Sequence, residues 1–149
     1  MEYDSDNVMA YIIGRCAEEN IFVNLTKLQK LLYCCYGVVL AKFDERLTKE
    51  APQALPYGPV FPRTMKALNK GRIRQGEDGG FSKECPPEIL NAINSTIKFF
   101  GKFKATELSI WSHKAGSPWD IATGGGQNIP APMDDFQIAK YFKEKVLRG

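Results

Sequence analysis

Between Asn24 and Phe43 the chain carries apolar residues at intervals of three and four almost without interruption: Leu25, Leu28, Leu32, Cys35, Val39 and Phe43. Leu31, Tyr36 and Leu40 widen that stripe beyond a single face. The spacing predicts a helix beginning after Asn24 and ending near Phe43, and its breadth predicts that other elements enclose it. The rest of the fold must therefore be built around this segment. With 149 residues available, folding at this size hides about 70% of the surface of the unfolded chain, enough for one core.

The remaining elements follow from capping and breaking signals. A first helix is expected over about Asp6 to Glu19, with Ser5 or Asp6 as cap and Met9, Ile12, Ile13 and Cys16 as its stripe. Prolines at 52, 56 and 59 exclude a long helix between Leu47 and Pro59 and confine any strand to a short or edge piece. Pro59 and Pro62 suit the opening of a short helix from Val60 to Asn69, ended by Gly71. Gly76, Gly79 and Gly80 mark a loop. Beyond it, Pro86 and Pro87 open a helix bearing Ile89, Ile93, Ile97 and Phe100. Thr106 to Lys114 predicts a short helix with Leu108 and Trp111 inward, stopped at Gly116. Gly124 to Gly126 predict a mobile stretch, and Pro130 and Pro132 a connector. Asp134 caps a last helix, with Gln137 in its third position, Met133 placed to staple Ile138, and Phe136, Ala139, Phe142 and Val146 along its stripe. The expected fold is mainly α: one compact domain over residues 1–149, about six helices and one or two short extended segments.

Composition narrows the function by exclusion. Twenty basic against seventeen acidic side chains leave a net charge of +3, too even a balance for a nucleic-acid-binding face. One local excess, Lys70, Arg72 and Arg74, is bounded by glycines and suits a solvated loop or short strand, with an acidic protein partner as the functional alternative. Glu2, Asp4 and Asp6 stand where a signal peptide needs positive charge, and no window approaches the roughly 18 apolar residues of a membrane span. A cytoplasmic protein follows, and Cys16, Cys34, Cys35 and Cys85 are expected to be reduced thiols.

His113 is the sole histidine, so zinc sites built on two histidines cannot form, and neither metal nor cofactor is expected. A hydrolase or transferase would have to pair His113 with a cysteine or serine brought close by the fold. Asp134 and Asp135 need no acid–base role, because negative charge is favoured at a helix start. Catalytic residues are therefore not assigned.

Three segments are less ordinary. The run from Leu25 to Tyr33, the turn Tyr57-Gly58-Pro59-Val60 and the sequence His113-Lys114-Ala115-Gly116-Ser117-Pro118-Trp119 resemble, in this order, the Panacea (SocA-like) antitoxin domain. The resemblance spans about Asn7 to Phe142. It implies a helical antitoxin that neutralises a partner protein toxin, usually encoded beside it, by direct binding and without enzymatic activity. A branch of the family acts as an adaptor to a cellular protease, and other members are phage-associated proteins; a regulatory role without a toxin is the alternative. Leu55, where many relatives carry tryptophan, and Ile110-Trp111-Ser112 depart from the family pattern. Tyr57, His113 and Trp119 are the candidates for contacting the partner, while Gly58, Pro59, Gly116, Ser117 and Pro118 are motif residues of structural character. The oligomeric state is not implied.

Overall fold

The computed structural model describes residues 2–147 and contains, among them, eight helices and one small sheet. The helices are α1 (Ser5–Glu18), α2 (Leu25–Phe43), α3 (Pro62–Asn69), α4 (Phe81–Glu84), α5 (Pro87–Phe100), α6 (Ala105–Ser112), α7 (Pro118–Thr123) and α8 (Asp135–Lys145). Strands β1 (Gln53–Leu55), β2 (Gly58–Val60) and β3 (Ala131–Pro132) form an antiparallel sheet in the order β2-β1-β3. Both edge strands carry a proline, Pro59 and Pro132, a residue that suits edges because it offers no N–H to a ladder.

The expected central helix is central. Asn24 caps α2 by accepting a hydrogen bond from the Lys27 amide, and Asp44 closes it in the left-handed conformation. Every residue from Lys27 to Ala41 is buried, because α1, α5, α6 and α8 all pack on it. Leu31, Leu32, Cys34, Cys35 and Tyr36 are wholly enclosed, and each large apolar side chain hidden in this way contributes about 1.5–3 kcal/mol. Against α8 the packing is closest at Gly37, where an added Cβ would run into the Phe142 ring. A glycine there lets the two helices touch.

Mainly helical architecture is as expected; the differences are local. Eight helices replace about six because α4 and α7, four and six residues long, are too short to show helical periodicity. The cap of α1 is Asp4, not Ser5 or Asp6. Ser5 instead turns inward, where it accepts from Thr64 Oγ1 at 2.6 Å and donates to Glu50 at 2.9 Å. Pro59 lies in β2 and only Pro62 opens α3, so the Val60 start shifts by two residues. Residues 130–132, read as connector, supply β3. The glycine triplet lies in a hydrogen-bonded turn: Gly125 N–H donates to Asp120 O and Gly126 N–H to Thr123 Oγ1. Lys70, Arg72 and Arg74 lie in an exposed loop, not a strand.

Asp134 caps α8, and Met133 and Ile138 are both buried as a staple requires. The four cysteines are free and buried. No helix among the described residues is long and apolar enough to cross a membrane.

Candidate partner-binding site

The β1–β2 hairpin turns through Pro56 and Tyr57, with Leu55 facing Gly58 across the ladder. Pro56 and Gly58 bracket Tyr57 with one residue of fixed φ and one at φ +115°, a region side chains other than glycine rarely adopt. Any Cβ at position 58 would also stand 2.5 Å from Ser112 Oγ and 3.1 Å from Lys30 Cε. The turn is pressed against α2 and α6, and only glycine fits.

Side chains from three helices hold the hairpin by its backbone. Trp119 Nε1 of α7 donates to Leu55 O at 2.7 Å, Ser109 Oγ of α6 to Tyr57 O at 2.8 Å, and Lys30 Nζ of α2 to Pro59 O at 3.0 Å. Gln29 Oε1 accepts from Phe61 N–H at 2.7 Å. Carbonyls 55, 57 and 59 are thus each taken by a different helix. The bonds of Lys30 and Gln29 are buried, that of Trp119 is partly buried and that of Ser109 is exposed, so the buried partners would be the costliest to leave unpaired.

Lys30 is the unusual member. It is 2% exposed, and burial pushes its ammonium down to about 8. Its ammonium donates to the Pro59 carbonyl. Gln29 is fully buried as well, with its Nε2 unpaired. Neither residue stands out in the sequence, where both pass for the solvent side of an amphipathic helix. Their signal lies in context: a helix apolar on nearly every side must find partners for the polar residues it carries.

The three candidate contact residues fare differently. Tyr57 projects from the tip at 77% exposure, while the backbone beneath it is fixed. Trp119 is 7% exposed, with its indole N–H committed to the hairpin. His113 caps the C-terminus of α6 half-buried, its ring 5.3 Å from that of Trp119 and its buried Nδ1 without a hydrogen-bond partner. The motif residues around them are structural. Ser117 caps α7 by accepting from the Asp120 amide, Pro118 occupies its first position, and Gly116, at φ +84°, donates its N–H to Asp120 Oδ2 at 2.9 Å.

Among the described residues no serine or cysteine side chain is hydrogen-bonded to the His113 imidazole. Burial also pushes the cysteine thiols up, Cys16 and Cys85 to about 11 and Cys34 and Cys35 further, so they stay protonated and poor as nucleophiles near neutral pH. Among the described residues no cluster of three His, Cys, Asp or Glu side chains could hold a metal ion.

The hairpin therefore joins the three segments singled out in the sequence: Gln29 and Lys30 from the first, Tyr57 to Pro59 from the second and Trp119 from the third. Comparison with known proteins falls on the same span. The chain is 27% identical over 139 residues to the antitoxin SocA of Caulobacter vibrioides (strain NA1000 / CB15N), a match that covers 85% of this chain and 74% of that one. No solved structure matches. The family described as antitoxin SocA-like, Panacea domain, matches residues 28–120, which enclose every hydrogen bond that pins the hairpin, and the chain belongs to that family.

Proposed function

We propose that this protein is an antitoxin that neutralises a protein toxin by binding it directly, with Tyr57 at the centre of the contact. The observation that carries the reading is the contrast at the hairpin tip: a ring 77% exposed on a backbone pinned by α2, α6 and α7. Aromatic rings on rigid supports make interface hot spots, because little freedom is lost when they are covered. Membership of an antitoxin family supports the role, and the pinned hairpin supports this choice of surface. His113 and Trp119 act beneath it, Trp119 by holding Leu55 and His113 by packing on Trp119.

The test is co-expression with the product of the neighbouring gene. Wild-type protein should restore growth, and Tyr57→Ala should weaken the complex by at least about 1 kcal/mol, the threshold of a significant interface residue, while the melting temperature stays unchanged. A neighbour that is harmless, or equally toxic in the presence of this protein, overturns the antitoxin reading. Unchanged affinity in Tyr57→Ala moves the contact elsewhere. Delivery to a protease differs from simple blocking in one respect: the toxin would then disappear from the cell in a protease-dependent way instead of accumulating in a complex.

A further inference from the structure

On the side of α6 away from the hairpin lies an apolar trough. Ser109 faces the hairpin, and Trp111, two residues on, is turned about 200° around the helix from it. Two adjoining grooves of about 540 and 480 Å³ share Phe99, Phe100 and Val146, and the second reaches Phe103 and Trp111. Phe103 also borders a third groove that ends at Phe22. The rings form one contiguous set, with Phe99 edge-on to Phe100 at 5.0 Å and to Phe103 at 5.8 Å, and Phe100 tilted against Trp111 at 5.3 Å. Phe22, Phe99 and Phe103 are 83%, 53% and 37% exposed. Patches of this kind mark surfaces that something covers.

The charges beside the trough say what that is. Lys42 and Lys145 line the two larger grooves, and Lys102 and Lys104 the third. None of the four is ion-paired with a carboxylate among the described residues, and Lys102 Nζ sits 5.7 Å over the Phe99 ring. Against them stand Glu88 and Glu107, and Glu107 is engaged in capping α6 through the Lys104 amide. A second copy of the chain would bring lysines against lysines across a twofold axis, which opposes self-association.

We propose that the trough receives an acidic amphipathic helix of a protein partner, its aliphatic stripe on the phenylalanines and its Asp and Glu residues on the flanking lysines. A trough between helices is the shape that takes a helix, through apolar anchors one turn apart. The proposal deepens the protein-binding reading above, but it concerns the opposite side of α6 and is tested without any toxin.

The probe is a labelled model helix with a leucine stripe flanked by glutamates, compared with the same stripe flanked by lysines, each titrated into the full chain by fluorescence anisotropy. The glutamate peptide should bind at least about tenfold tighter, with affinity falling as salt rises. Amide shifts should map to residues 99–111 and 145–147. Phe103→Asp should lower affinity at least about tenfold, and the double variant Lys102→Glu, Lys145→Glu, which touches only exposed side chains, should abolish the preference for glutamate. Equal affinity for the two peptides, no binding of either, shifts confined to the hairpin, or a dimer in sedimentation equilibrium each overturns the proposal. Should Phe103→Asp unfold the chain, the double lysine variant decides. Neutralisation lost in Tyr57→Ala with peptide binding intact would separate the two surfaces.

Discussion

Toward the hairpin, α6 presents Ser109, which donates to a backbone that Lys30, Gln29 and Trp119 also grip, and Ser112, which bonds back to Ser109 O and packs beside Gly58; toward the trough it presents Leu108 and Trp111 beside phenylalanine rings. The hairpin side is specified by direction, since each bond holds only at one distance and angle. The trough side is specified chiefly by apolar area, and rings packed edge to face can slide by tenths of an ångström at small cost. A surface of the first kind suits one rigid partner, and one of the second suits partners that vary. Within a single small domain, the two faces of one eight-residue helix are built on different principles.

Substitutions can break that contrast. The largest effect is expected at Gly58, where alanine meets both the left-handed φ and the overlap with Ser112. We expect Gly58→Ala to lose about 3–5 kcal/mol in urea unfolding, the sum of backbone strain and overpacking. A loss below about 1 kcal/mol would mean that the hairpin is not gripped as described.

Next comes Lys30. Its folded-state value lies near 8, below the ordinary 10.5, so the unfolded chain keeps the proton to higher pH than the folded one. Its contribution to stability is then fully present above pH 10.5 and lost as pH falls through 8, a swing of up to about 3 kcal/mol. Buried Tyr33, Cys34 and Cys35, all pushed up, work the other way in the alkaline range. The diagnostic quantity is therefore the difference between wild type and Lys30→Met, which should move in favour of wild type from pH 8 to 10. A flat difference would show that Lys30 is hydrated.

Trp119→Phe keeps the ring but leaves Leu55 O without its donor, and about 1–3 kcal/mol should be lost. The smallest effect belongs to the trough: Phe99→Ser, at an exposed position, should change stability by less than about 1 kcal/mol. If Phe99→Ser cost as much as Trp119→Phe, the two faces would not differ in kind.

Much of the scaffold was legible. Asn24 and Phe43 bound the central helix as the periodicity indicated, and Asp134 caps α8 with Met133 and Ile138 both buried. Local signals failed where a tertiary contact outbid them. Ser5 looks like a cap but is drawn inward by Thr64 and Glu50, and Pro59 resembles a helix opener but is held in a strand by Lys30. Of the candidate site, the turn and its glycine could be read from Tyr57-Gly58-Pro59, but not the strand that follows it. The helices that grip it could not, because the pairing of Lys30 with a carbonyl 29 positions away leaves no periodic trace.

The close seat of Phe142 against Gly37 also has a bearing on how the protein comes into being. Residues 37 and 142 leave the ribosome about 100 residues apart, which at translation speeds of 5–20 residues per second is roughly 5–20 s. Throughout that interval the newborn chain carries α2, its most extensively buried helix, without one of the four helices that enclose it. The enclosure of α2 is therefore completed only when α8, the last helix of the chain among the described residues, has been made.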